Sequence, residues 1–174
     1  MIDRVSARAA VAALSVVALV AGCGLLRQAH QVPDELIPVF QAAAAAYGLL
    51  TPAQLAAQAR VESKFDARAV SHAGARGMMQ FLPSTWADYG IDANRDGRAD
   101  PMDPLDAIPS AARYESTLAQ LVEHLPGDRV SLILAAYNAG PDAVRAAGGV
   151  PDIEETRNYV SRVNTWAAAF ADQL

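Results

Sequence analysis

The sequence predicts a mainly α fold with little or no β structure. Three observations carry this. No segment sustains the apolar–polar alternation of a half-buried strand. Apolar residues recur at helical spacing, as in Val130, Ile133, Leu134 and Tyr137, and again in Tyr159, Val163, Trp166 and Phe170. Helix start and stop signals punctuate the chain at intervals suited to short packed helices.

A first helix is expected from about Asp34 to Tyr47, stopping at Gly48. Thr51-Pro52-Ala53-Gln54 opens the second with a capping Thr, a Pro at the first helical position and a Gln three residues on. That helix runs to about Ser63, and a glycine-bearing loop follows from Lys64 to Arg76. Short helical pieces are expected over Gly77–Leu82 and Pro83–Tyr89, then an acidic loop over Asp92–Asp103. A long helix follows to about His124, with Pro109 starting it or kinking it. Asp128 to about Asn138, Pro141 to near Gly148, and Glu155 to Ala171 complete the set.

The first 22 residues read as an export leader. Arg4 and Arg8 precede an apolar run from Ala9 to Ala21, broken only by Ser15. The run suits a signal-peptide core and is short for a membrane span. It ends in Leu19-Val20-Ala21-Gly22-Cys23, which resembles the lipobox of bacterial lipoproteins, where the cysteine is lipidated. Residues 23–32 then form a tether reaching on the order of 30 Å, and residues 33–174 the domain. Export and attachment to a membrane through Cys23 follow from this reading; a simple leader or N-terminal anchor with an incidental cysteine is the other. Cys23 is the only cysteine, so no intrachain disulfide can form.

The formal net charge is −5, and the 14 basic residues are scattered. Phosphate backbones need concentrated Lys and Arg, so nucleic acid is not an expected partner. No HExxH motif occurs among only three histidines, and there is no P-loop or Rossmann fingerprint. A monomer is expected.

Leu55, Ala59 and Glu62 share one face of the second helix. A carboxylate aimed inward is costly, and desolvation raises its pKa toward that of a general acid. The same spacing also describes a helix-end glutamate at the surface, or one paired with Arg60 or Lys64.

Its company narrows the choice. Glu62-Ser63 is followed by Ser71-His72-Ala73-Gly74-Ala75-Arg76-Gly77-Met78-Met79-Gln80, then Pro83 and Thr85. Farther on come Ala136-Tyr137-Asn138-Ala139-Gly140-Pro141 and Glu155-Thr156-Arg157-Asn158-Tyr159-Val160. Together these resemble the catalytic domain of lytic transglycosylases of the soluble Slt type, relatives of goose-type lysozyme, over roughly Leu50 to Asn164.

The resemblance implies a lysozyme-like transglycosylase domain acting on the glycan strands of peptidoglycan. It makes Glu62 the single acid/base. It places Ser71, Met79, Gln80, Tyr137, Asn138 and Tyr159 at the substrate, with Gly74 and Gly77 letting the loop turn tightly. It also implies cleavage of the MurNAc–GlcNAc β-1,4 bond without water, leaving a 1,6-anhydro end. No cofactor is expected for that chemistry. The alternatives are a hydrolytic muramidase or chitinase-like glycosidase, and a murein-binding lipoprotein without activity.

Other motif residues have plainer readings. Both tyrosines could be core aromatics with satisfied hydroxyls. Met78, Trp86 and Trp166 read as core, His72 and His124 as surface, and Glu155 with Arg157 as an ion pair or helix cap.

Asp92, Asn94, Asp96, Arg98, Asp100 and Asp103 fall on the ligand positions of an EF-hand loop, with Gly97 at the turn. The loop is thus a candidate site for a structural calcium ion, and membrane-bound lytic transglycosylases of another branch resemble this stretch. Position 12 carries the shorter Asp, however, and position 8 is Ala99. The other reading is an Asx-rich turn capping the next helix, with Asp103 before Pro104.

Overall fold

The computed structural model describes residues 31–174. The leader, Cys23 and nearly all of the tether lie outside the described residues. Val32, placed in the tether by sequence, belongs to the fold: it is buried, and its N–H donates to Gln173 Oε1 at 3.0 Å.

Among the described residues there are seven α-helices and no named strand. A 3-10 turn over Asp34–Leu36 leads into α1 (Ile37–Tyr47), which ends on Gly48 in the left-handed region. Then come α2 (Pro52–Glu62), α3 (Pro83–Tyr89), α4 (Pro104–Leu121), α5 (Arg129–Ala139), α6 (Pro141–Ala147) and α7 (Glu154–Phe170). None of them is long and apolar enough to cross a membrane by itself.

The helix α2 lies at the centre. Ala56, Ala57 and Ala59 are fully buried, and side chains this small let α7 pack closely along it. Its start is fixed by the full capping box: Gln54 N–H donates to Thr51 Oγ1 at 3.2 Å, and Thr51 N–H to Gln54 Oε1 at 2.8 Å. The helix α1 lies against both α2 and α4, while α5 contacts α4, α6 and α7. Leu55, Ile108, Leu118, Ile133, Leu134 and Phe170 fill the core between them.

One expectation is corrected and one open choice is decided. Residues 77–82 are not helical. Arg76 and Phe81 exchange backbone hydrogen bonds at 2.9 and 3.0 Å, closing a small hairpin, and Gly77 and Gln80 inside it have φ of 76° and 51°. Left-handed residues cannot continue a right-handed helix. Pro109 does not start the long helix: Asp103 caps α4, Pro104 opens it and Pro109 lies inside.

Candidate active site

Glu62 is the last residue of α2. Lys64 and Phe65 follow with φ of 61° and 68°, turning the chain back sharply. Left-handed non-glycine residues are unfavourable, and the turn is held by packing of Phe65 against Phe40 and Phe170. Ser63 Oγ donates to Met78 O at 2.8 Å, stapling the helix end to the loop that forms the next wall.

The helix end and that loop border a cleft of about 500 Å³. Its lining includes Glu62, Ser71, Gln80, Phe81, Thr85, Tyr114, Tyr137, Asn138 and Glu155. One edge of Glu62 opens on the cleft, so the residue as a whole is only half-buried, but its carboxyl is enclosed. Burial raises its pKa from 4.5 to about 7. Tyr159 and Arg162 oppose that rise, and the charge of Glu155 adds to it. Near neutral pH the group is therefore divided between acid and carboxylate, the condition for giving and taking a proton.

Tyr159 is buried, and its hydroxyl donates to Glu62 Oε1 at 2.7 Å. Burial keeps that hydroxyl protonated by pushing its pKa well up. Tyr159 thus acts through Glu62. Tyr137 stands on the lining itself; its hydroxyl donates to Met79 O at 2.9 Å, and its ring packs against Phe81 and Tyr114.

The polar lining is set by local bonds. Ser71 Oγ accepts from Ala75 N–H at 3.0 Å, leaving its own proton to donate. Gln80 Nε2 donates to Gly77 O at 2.8 Å and Ala69 O at 3.3 Å, leaving its Oε1 as the acceptor. Asn138 Oδ1 accepts from Thr156 Oγ1 at 2.8 Å, leaving its N–H groups as donors. Donors and an acceptor around an aromatic wall suit a hydroxyl- and amide-bearing sugar.

Of the residues expected at the substrate, Ser71, Gln80, Tyr137 and Asn138 line the cleft beside Glu62. Met79 does not: its side chain is fully buried, and only its carbonyl serves the site, as the acceptor for Tyr137. The expected Glu155–Arg157 ion pair is also corrected, because Arg157 pairs with Asp152. Glu155 instead sits at the cleft as a second carboxylate. Nothing in its spacing signals this, because the first turn of α7 reaches the cleft only through the packing of α7 on α2. Trp86 packs on Phe81, and Trp166 packs on Phe170 with the Arg60 guanidinium over its ring.

The acidic loop is built from Asx turns. Asp92 accepts from the N–H groups of Asp96 and Gly97, Asp96 from Arg98, Asp100 from Met102, and Asp103 from Leu105. Arg98 pairs with Asp100. The Asn94 amide donates to Asp103 Oδ2 at 2.9 Å, and its Oδ1 accepts from the Asp96 N–H at 2.9 Å. Among the described residues no group of three or more Asp, Glu, His or Cys side chains is placed to hold a metal ion. Asp106, fully buried and unsuspected from sequence, secures the loop by accepting from the N–H groups of Ala93 and Asp100.

A helical domain with one enclosed glutamate at the end of its central helix, facing a sugar-sized cleft, defines the class. The chain belongs to the Transglycosylase SLT domain family, which it matches over residues 38–160. It is 38% identical over 116 residues to membrane-bound lytic murein transglycosylase F of Cellvibrio japonicus (strain Ueda107), covering 61% of this chain and 22% of that protein. To membrane-bound lytic murein transglycosylase D of Escherichia coli (strain K12) it is 31% identical over 125 residues, covering 64% and 26%. Among solved structures, the 70 kDa soluble lytic transglycosylase Slt70 of Escherichia coli superposes with a TM-score of 0.64 at 25% identity, over 78% of this chain and 24% of that one. Lytic transglycosylase Slt of Pseudomonas aeruginosa, solved as an inactive glutamate-to-glutamine mutant, gives 0.62 at 28% identity over the same shares. The chain spans about a quarter of the length of these relatives.

Proposed function

We propose that the chain is a murein lytic transglycosylase that cleaves the MurNAc–GlcNAc β-1,4 bond and leaves a 1,6-anhydro-MurNAc end. The observation that carries this is Glu62: an enclosed carboxyl with a pKa of about 7, held by the Tyr159 hydroxyl, at a cleft lined with sugar-binding groups. The names of the relatives support it, as does the inactivity of the glutamate-to-glutamine mutant among them.

In this reading protonated Glu62 gives its proton to the bridging oxygen as the C1–O bond breaks. The substrate's own 2-acetamido group stabilises the cationic C1, a substrate-assisted route that needs no nucleophilic side chain. Ionised Glu62 then takes the proton of the muramyl C6 hydroxyl, and that oxygen bonds to C1. The proton count returns to its start and no water is consumed. The C6 oxygen is tethered to the reacting carbon, so its effective concentration is high. Ser71, Gln80, Tyr137 and Asn138 orient the sugars, and Tyr159 steadies the acid.

Glu155 favours a second reading, hydrolysis. An exposed carboxylate at the cleft could activate a water while Glu62 acts as acid. Mass spectrometry of digested murein separates the two. Anhydro products lacking one water are expected, and absent with Glu62→Gln; reducing ends would make the protein a muramidase. Binding of murein with no cleavage would leave a non-catalytic lipoprotein.

The reading places the enzyme in the cell envelope, exported and attached through lipidated Cys23. Metabolic labelling with palmitate is expected to mark the wild type and not Cys23→Ala. Label retained in the variant would defeat the anchor.

A further inference from the structure

Behind the cleft floor lie two polar side chains that the chemistry above does not use. Gln58 on α2 is fully buried, and Glu115 on α4 is 1% exposed. Gln58 lies one turn before Glu62 on the same face of the helix. Its Nε2 donates to the Tyr159 hydroxyl oxygen at 3.3 Å, and that hydroxyl donates to Glu62 Oε1 at 2.7 Å. Glu115 lies beside the Gln58 side chain, close enough for that amide to act on its carboxyl. Two atoms of this string have no hydrogen-bond partner, Gln58 Oε1 and Glu115 Oε1.

An ionised Glu115 would make both of those atoms pure acceptors. Two buried acceptors would then stand unsatisfied, beside a charge enclosed in apolar surroundings. A protonated Glu115 changes the count. A neutral carboxylic acid and a primary amide can pair at two points: the acid carbonyl oxygen takes an amide N–H, and the acid O–H donates to the amide oxygen. That pairing satisfies both atoms and requires a single proton. Burial drives Glu115 the same way, holding its carboxyl well above the usual range.

We propose that Glu115 is a positioning residue of the cleft: as a neutral acid it pairs at two points with the Gln58 amide and so fixes the direction of the Tyr159 hydroxyl. With its amide oxygen taken by the acid O–H, Gln58 can offer Tyr159 only an N–H. The Tyr159 oxygen must accept that bond, and its one proton goes to Glu62 Oε1. The acid proton of Glu62 is thereby kept on Oε2. A reversed amide would draw the Tyr159 proton away from Glu62. The charged and titratable groups acting directly around Glu62 are Tyr159, Arg162 and Glu155 on α7 and Tyr137 on α5. Glu115 acts on it through Gln58 and Tyr159.

The inference rests on the acid role proposed for Glu62, and its first test is independent of activity. In a Glu62→Gln background, infrared spectra at pH 8 are expected to show the C=O stretch of a protonated carboxyl that Glu115→Gln removes. No such band would overturn the proposal, whatever the protein's activity. The second test is kinetic. Glu115→Leu is expected to lower kcat about ten-fold, the effect of one lost hydrogen bond at the reacting group, with KM within about two-fold, and to move the pH profile. Glu115→Gln can form the same two-point pair and is expected to restore kcat. If it falls as far as Glu115→Leu, or if Glu115→Leu changes neither kcat nor the profile, the proposal is wrong. Should the leucine variant not fold, the infrared band and the glutamine variant still decide.

Discussion

Replacing Glu62 with glutamine is expected to stabilise the fold at pH 8 and leave it nearly unchanged at pH 4. In the native protein burial holds the carboxyl at about 7, against its ordinary value of 4.5. Between those values the native state keeps a proton that the unfolded chain has released. Stability therefore falls as pH rises from about 4.5 to about 7 and stays lower above that. From 4.5 to about 7 is a gap of about 2.5 pH units, worth about 3.4 kcal/mol at full weight. The edge open to the cleft lets water screen part of this, so about 2–3 kcal/mol is expected. Glutamine carries no charge and keeps an oxygen for the Tyr159 hydroxyl, so it removes the penalty with little change of shape. Urea unfolding of both proteins at pH 4 and pH 8 measures the effect, and comparing the proteins at each pH cancels the titration of other groups. An equal stability difference at both values, or a glutamine variant less stable at pH 8, would refute a raised pKa for Glu62.

Two further outcomes follow from the same geometry. Tyr159→Phe removes the hydrogen bond that holds the Glu62 pKa down, so the alkaline limb of kcat/KM moves to higher pH and kcat falls about ten-fold; an unmoved limb would show that the bond tunes nothing. The Asx turns that hold the acidic loop together need no metal, so Tm is expected to be the same in calcium and in EDTA, and a rise of several degrees with calcium would support the metal-binding reading instead.

What the sequence revealed was local. The start of α2 was legible because Thr51 and Gln54 cap it from within four residues. The inward face carrying Leu55 and Ala59 followed from helical period alone, and so did the inward placement of Tyr159; the period left Glu62 open, and only its neighbouring motifs pointed it to a site. Ser71, Gln80, Tyr137 and Asn138, singled out by the motifs, line one cleft with Glu62. Features that depend on tertiary contact were hidden. Gln58 and Glu115 look like ordinary polar positions of helices until α2, α4 and α7 pack together. Glu155 reached the cleft, and Arg157 found Asp152, through the docking of α7 and the turn before it. Gly77–Leu82 reads as helix in the sequence because the left-handed backbone of Gln80 has no signature as clear as a glycine's.

The hairpin has a neighbour that sets the limits of loop exchange. At Gly77, with φ of 76°, an added Cβ would fall 1.7 Å from the carbonyl oxygen of Pro101. The wall that bears Ser71 and Gln80 therefore rests directly on the backbone of the acidic loop. A chimera that takes residues 71–80 from one relative and 92–103 from another must therefore preserve the close approach of Gly77 to the Pro101 carbonyl. At this contact the two loops form a single cassette, and any side chain at position 77 requires the Pro101 carbonyl to move.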